Sequence, residues 1–334
     1  MSQVSSSYSI KGKLINNRIV FAPTRTFTYV TEEGTINQQH IDHYSQIAEG
    51  KPGLLILEAS AVAKPTRPNS RVTGIWSDDF IPGLSEIAKL CHSNEVVAIA
   101  QIGHNGFKED DVTTYPGEYS TEEVDEILEN FTDAAIRAQK AGFDGVEIHA
   151  VHGFFISSLL SDKTNQRTDK YGGSPKNRAF FAVSLIERIR EKLGDEFIIV
   201  IRMAYNETDS LQYAKMFEQA GADILHVSFG VFPPEDINKR EAYREGLSPV
   251  VYGAYEIKKA VSIPVISVYG TSTREQVDLI LDNGYSDFVA ASRAILADPQ
   301  WPSKIINGED VDSCLHCRSC SWFSDCHKCP ARKK

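Results

Sequence analysis

From Arg18 onward the chain alternates between short, nearly continuous apolar runs and longer segments in which apolar positions recur every three or four residues. Eight runs rich in Val, Ile and Leu read as strands: 18–23 (RIVFAP), 54–62 (LLILEASAV), 96–103 (VVAIAQIG), 145–150 (GVEIHA), 197–203 (FIIVIRM), 224–230 (ILHVSFG), 264–270 (PVISVYG) and 288–293 (FVAASR). The segments between them are helical in pattern. The clearest runs from Thr121 to Ala141, where Ser120 and Glu123 form a capping box, Ile127, Phe131, Ala134, Ala135 and Ala138 share a face, and Gly142 stops the helix. A second helix is expected from Pro175 to about Leu193, behind Ser174 as its N-cap. Strands without polar alternation are covered on both faces, which implies a parallel sheet. Eight strand–helix repeats imply closure into a (β/α)8 TIM barrel, with a doubly wound open sheet as the alternative.

Length and charge narrow the picture. A chain of 334 residues holds one such barrel, expected over residues 1–300, with a short extension over 301–334. A formal charge of −10 argues against nucleic acid or an anionic membrane as partner, since both reward clustered Lys and Arg. The only basic cluster is Arg332-Lys333-Lys334. Residues 1–9 lack the apolar core of a secretory signal and no apolar run is long enough to span a bilayer, so a cytoplasmic protein acting on a small molecule is expected. No glycine fingerprint of a Rossmann turn or P-loop is present.

In a barrel of this kind, reacting side chains collect where the strands end. Those positions hold Pro23, Thr24 and Arg25, then Ala59, Gln101 and His104, the pair His149 and His152, Arg202, Tyr269 and Gly270, and finally Ser292 and Arg293. Amide, imidazole and guanidinium groups dominate, and no paired carboxylates appear. That inventory suits donors arranged around an aromatic cofactor and an oxygen-bearing substrate. Taken alone, His-x-x-His reads equally as structural histidines or metal ligands, though no third ligand lies nearby in sequence. Taken alone, Arg202 and Arg293 read as structural ion-pair partners.

Over nearly its whole length the chain resembles the old yellow enzyme family of FMN-dependent oxidoreductases. The pieces that carry the resemblance are NRIVFAP (17–23), LEASAV (57–62), AQIGHNG (100–106), AGFDGVEIHAVHGFFISSLLS (141–161), NQRTDKYGGSPKNR (165–178) and SRAILADPQWPSK (292–304). The resemblance implies an ene-reductase that takes hydride from NADH or NADPH onto FMN and passes it to an activated alkene, with ping-pong kinetics. It implies that Gln101 and Arg202 meet the flavin's pyrimidine edge and that Gly270 and Arg293 bind its phosphate. Pro23, Thr24, Arg25, Ala59, Tyr269 and Ser292 would complete the flavin site. His149 and His152 would be catalytic, donating to the substrate's carbonyl or nitro oxygen. The loop from Asn165 to Arg178 is expected to brace the fold, without a catalytic role.

Three positions depart from the family pattern. Phe154 stands where many relatives carry a proton-donating tyrosine, so the expectation is either that another group, for instance Tyr29, Tyr205 or water, supplies that proton or that the reaction ends differently, for instance on oxygen or a quinone. Arg25 replaces a small polar, thiol or imidazole side chain. Ser292 replaces the glycine before the phosphate-binding arginine, which implies a looser approach to FMN. A flavin or iron–sulfur electron-transfer or binding protein with little alkene reduction is the alternative function.

Of six cysteines, Cys91 stands alone and Cys314, Cys317, Cys320, Cys326 and Cys329 crowd together at the end. This tail resembles that of the dienoyl-CoA reductase and trimethylamine dehydrogenase branch, which implies a [4Fe–4S] cluster on four of the five thiols. The spacing departs from that branch: the third cysteine comes one residue early and the fourth much too early. Zinc is the second expectation and a metal-free tail the third. That branch continues into a nucleotide-binding domain, whereas this chain stops at Lys334, so a free nicotinamide or a redox partner protein is expected as electron donor. Oligomeric state is left open.

Overall fold

The computed structural model describes residues 3–332 apart from 65–71, 105–107, 110–111, 114–115, 238, 240, 242 and 324. Asn105 and Gly106 of the matched segment, Lys333 and Lys334 therefore lie outside the described residues, as does the side chain of Cys326. Eight parallel strands close into a barrel: β1 (Ile19–Phe21), β2 (Leu54–Ala61), β3 (Val97–Gly103), β4 (Gly145–His149), β5 (Ile198–Ala204), β6 (Ile224–Ser228), β7 (Val265–Val268) and β8 (Phe288–Ala291). Each pairs with the next, and β8 pairs with β1. The open-sheet alternative is excluded.

Two apolar layers hold the barrel. Alternate strand residues, among them Val20, Leu54, Ile56, Val200 and Ile266, fill its interior, while their neighbours pack against the helices. The helix Thr121–Lys140 has the expected capping box, and Gly142 beyond it takes the left-handed φ of +93°. Ser120→Ala removes the oxygen that accepts from the Glu123 N–H, and should lower stability by about 1 kcal/mol in urea unfolding. The helix Pro175–Leu193 also forms, capped by Ser174.

Several strands end sooner than the apolar runs. β8 stops at Ala291 because Arg293 opens a short helix to Ala297, and β6 stops at Ser228, where the chain turns outward. The base of the barrel is closed by an antiparallel hairpin, Tyr8–Ile10 with Lys13–Ile15, whose strands are too short to show in the hydrophobic pattern. It sends fully buried Ile15 into the barrel interior and pairs Lys13 with Asp144 at 3.0 Å and Lys11 with Asp223 at 3.3 Å. Asp144, Asp223 and Asp287 each precede an even-numbered strand. Each accepts a backbone N–H from the strand before it: Ala98 at 2.9 Å, Ile199 at 2.8 Å and Val265 at 2.9 Å, respectively.

The loop after β4 is braced internally. Asn165 donates to the carbonyls of Leu159 and Tyr171, and Arg167 to those of Pro116 and Tyr119 as well as to Asp169. A Cβ on Gly172 would lie 2.1 Å from the Arg167 carbonyl oxygen, so only glycine fits there. Among the described residues no helix is long and apolar enough to cross a membrane.

Candidate active site

Parallel pairing places polar residues of neighbouring strands side by side. Gln101 stands opposite Glu147, His149 opposite Arg202, and Arg202 opposite His226. The fully buried Glu147 carboxylate accepts from Gln101 Nε2 at 2.6 Å and from His226 Nδ1 at 2.6 Å. Burial alone would raise its pKa, but His226, Arg202 and Gln101 outweigh that and hold it below the usual carboxylate range. Burial pushes His226 down, so it donates as a neutral imidazole. Gln101 is thereby oriented, with its amide nitrogen committed to Glu147 and its carbonyl oxygen left as an acceptor.

The histidine pair depends on a backbone reversal. His152 has φ of +63° and Gly153 +73°, two successive left-handed residues that fold the chain back at the end of β4. His152 Nδ1 then lies 3.3 Å from His149 Nε2, while His152 Nε2 lies 2.9 Å from the Ser228 hydroxyl. Burial, aided by Arg202, pushes His149 down to about 3 and His152 well below the ordinary histidine range. Both rings are neutral at physiological pH.

These groups open onto a single cavity of about 520 Å³, a volume typical of small-molecule sites. His149, His152, Gln101 and Arg202 line it together with Pro23, Thr24, Arg25, Ala59, Tyr269, Gly270, Ser292 and Arg293. Every flavin-site and catalytic position expected from the sequence is thus brought to one place. Among the described residues the buried Arg202 Nε has no hydrogen-bond partner, and the residue as a whole lines the cavity. Gly270 has φ of +82° and no room for a Cβ, which would meet the Tyr243 hydroxyl at 2.6 Å. A donor-lined slot with the buried guanidinium of Arg202 at one strand end and Arg293 at another fits a planar heteroaromatic ring carrying an anionic tail.

The family model described as NADH:flavin oxidoreductase / NADH oxidase matches residues 8–117 and 107–311. The chain belongs to this family. It is 35% identical to an NADH oxidase of Thermoanaerobacter brockii across 91% of its own length and 51% of that protein, so it spans about half of that relative. It is 34% identical to an NADPH dehydrogenase of Geobacillus sp. (strain WCH70), across 89% of this chain and 92% of that one. Among solved structures, a 2-naphthoyl-CoA reductase bound to 2-naphthoyl-CoA superposes with a TM-score of 0.87 at 23% identity, covering 97% of this chain and 55% of that one. The old yellow enzyme homologue from Zymomonas mobilis superposes at 0.78 and 21% identity, covering 97% and 99% respectively; both show the fold. The old yellow enzyme resemblance is borne out, and the family's cofactors are a flavin and a nicotinamide.

Against the family pattern, the departures are placed as follows. Phe154 lines the cavity and packs on His149 with ring centroids 4.8 Å apart. Neither Tyr29 nor Tyr205 is among the described residues that line it. Ser292 has an ordinary φ of −117°, and its hydroxyl lies 2.6 Å from that of Thr24, tying the loops after β8 and β1 together. The guanidinium of Arg25 lies 4.5 Å from the Phe27 ring centroid. His104, although at a strand end, packs on Phe155 and does not line the cavity.

The cysteine tail folds back over this rim. Trp322 is buried, its indole N–H donates to the Arg25 carbonyl at 3.2 Å, and its ring meets His43 at 5.2 Å. Cys314 and Cys320 line the cavity itself, whereas Cys317 is exposed. Among the described residues no three His, Cys, Asp or Glu side chains converge as a metal site. The described thiols are not gathered round one point and the side chain of Cys326 lies outside the described residues, while thiolates remain the right donors for an iron–sulfur cluster or zinc.

Glu147, His226 and Ser228 are functional neighbours that the sequence reading passed over. The available signal was a charged or imidazole side chain inside an otherwise apolar strand, which is costly to bury unless partnered.

Buried neutral histidines also set the response to acid. His43 and His149 are both pushed down to about 3 and buried His40 to about 4, each chiefly by burial. In the unfolded chain these groups take up protons near the ordinary histidine pKa, so unfolding binds protons as pH falls from about 6.5 toward 4, and stability falls with it. Tm should hold level above about pH 7 and decline below, each histidine adding up to about 1.4 kcal/mol per pH unit. A Tm unchanged between pH 7 and 5 would contradict their neutrality.

Proposed function

We propose that the protein is an FMN-dependent NAD(P)H oxidoreductase that reduces alkenes conjugated to a carbonyl or nitro group. The observation that carries this reading is the pair of neutral imidazoles in one cavity with the buried guanidinium of Arg202. Gln101 and Arg202 would hold the flavin's pyrimidine edge, and Gly270, Ser292 and Arg293 its phosphate, with Pro23, Thr24, Arg25, Ala59 and Tyr269 completing the walls. Bound FMN supplies hydride acceptance from the nicotinamide and hydride donation to the alkene.

The chain's own task is to polarise the alkene. His149 Nε2 and His152 Nδ1 lie 3.3 Å apart, within hydrogen-bond reach of each other, and a substrate oxygen that displaces this contact would meet both nitrogens. For His152 to donate from Nδ1, its Nε2 must be bare, and the Ser228 hydroxyl satisfies that by donating to it at 2.9 Å. Ser228 is therefore a positioning residue that holds the His152 ring and can meet this tautomer. Two neutral N–H donors stabilise the charge that develops on the oxygen without first having to lose a proton. Phe154 cannot protonate the α-carbon, so that proton comes from water.

Anaerobic mixing of the flavin-loaded protein with NADH or NADPH should bleach the flavin absorbance, and cyclohexenone should restore it. No bleaching with either nucleotide would sink the oxidoreductase reading. Bleaching that cyclohexenone and maleimide fail to reverse would favour an electron-transfer protein instead, in keeping with Phe154.

A further inference from the structure

Beneath the cavity lies a buried titratable group that polarising the alkene leaves unused. His226 on β6 is fully buried, its Nδ1 donates to the Glu147 carboxylate at 2.6 Å, and among the described residues its Nε2 has no partner. Arg202 stands in register beside it on β5, and Ile266 on β7 at its other side. The charged or titratable groups that face it, among the described residues, are thus Glu147 and Arg202, with His149 and His152 nearer the rim. One carboxylate and one guanidinium cancel, so this layer carries no net charge.

Hydride transfer to a bound flavin adds one negative charge at the pyrimidine edge, the end assigned above to Gln101 and Arg202. In a buried layer such a charge is costly unless a neighbouring group compensates it. The rings of His149 and His152 are hydrogen-bonded to each other and to Ser228, whereas His226 has a carboxylate on its Nδ1–H, which favours the protonated ring.

We propose that the Glu147–His226 pair is a proton store linked to the redox state of the site, taking one proton onto His226 Nε2 when the flavin is reduced and returning it when the alkene is reduced. This rests on the reading that NAD(P)H reduces a bound flavin in this cavity. The nicotinamide delivers two electrons and one proton as hydride, and the second proton comes from solvent to the bare Nε2. When hydride passes on to the β-carbon the added charge leaves, and the store gives its proton back to solvent. The α-carbon takes one proton from water in that same half-reaction, so the alkene step draws no net proton from the medium. In the oxidised protein burial keeps His226 neutral, its pKa below the ordinary histidine value.

The test uses the full chain loaded with FMN and mixed anaerobically with NADH in weakly buffered medium containing a pH indicator. Hydride transfer from NADH by itself neither takes up nor releases a solvent proton, so uptake that accompanies bleaching reports the store. About one proton per flavin should be taken up at about pH 7 to 8, where the oxidised protein holds His226 neutral and the reduced protein should keep the proton throughout. In that range the midpoint potential should fall by about 59 mV per pH unit, not about 30 mV, because each linked proton contributes about 30 mV to a two-electron couple. His226→Asn retains a donor for Glu147 but cannot take a proton, so uptake should vanish and the slope return to about 30 mV. An arm that needs no variant to fold is the reduced-minus-oxidised infrared difference of the native protein with isotope-labelled histidine, which should show an imidazole becoming an imidazolium. Bleaching without proton uptake, uptake undiminished in His226→Asn, or an infrared difference without imidazolium each overturns the store and leaves the oxidoreductase reading standing. If neither NADH nor NADPH bleaches the flavin, that reading fails and takes the store with it.

Discussion

Arg202→Met is expected to yield a protein that loses its flavin on gel filtration, with affinity for added FMN reduced by about 100-fold or more. The guanidinium is buried, its Nε has no partner among the described residues, and it stands in register between His149 and His226. Burial lowers its pKa and Glu147 opposes that shift, so cation and carboxylate sustain each other inside the barrel. Deleting the cation removes a coulombic neighbour that helps keep the buried Glu147 charged, while the carboxylate keeps its bonds to Gln101 and His226. Tm should therefore fall together with flavin retention. Arg202→Lys separates the two effects: it restores a cation for Glu147 but not the planar fork, so Tm should recover more than flavin affinity. Undiminished flavin binding in Arg202→Met would make the residue a structural counter-ion only.

The second large effect is expected at the histidine pair. His149→Ala should slow reoxidation of the reduced protein by cyclohexenone by about 10²–10³-fold, the usual cost of removing one donor to a developing oxyanion. Affinity for 4-hydroxybenzaldehyde should weaken in parallel. In the native protein the rate of this step should show no histidine inflection between pH 5 and 8, because His149 is pushed down to about 3 and is already neutral across that range. Loss of activity through its protonation belongs only near pH 3. An inflection close to 6.5 would mean that the pair is charged when it works, and the polarisation mechanism would have to be replaced. Ser228→Ala should give a smaller loss that Ser228→Thr restores, since only the hydroxyl holds the His152 tautomer.

The barrel was legible in the sequence because its strands are buried on both faces, so each appears as an unbroken apolar run with helical periodicity after it. The histidine pair was legible because it sits where such a run stops. Less visible was the Gln101–Glu147–His226 chain, made across three strands whose partners are 46 and 79 residues apart. Each member looked like an isolated polar residue, and only the strand register brings them together. The hairpin Tyr8–Ile15 escaped notice because three-residue strands carry no periodicity. The position of the tail was not legible for a different reason. Its Cys-x-x-Cys spacing suggests metal, but the contact that decides its position is Trp322 to Arg25, 297 residues away, and no local pattern encodes it.

The three aspartates that precede β4, β6 and β8 have a consequence for how the molecule can change. Each acts as a peg at the foot of its stave, fastening adjacent pairs together at the end remote from the chemistry. The mouth is shaped instead by reversals and side-chain ties such as those of His152 and Ser292, which can be recut without loosening the pegs. New specificities should therefore be reachable by grafting loops onto the upper end, whereas a single Asp223→Ala at the foot should reduce how much such remodelling the protein tolerates.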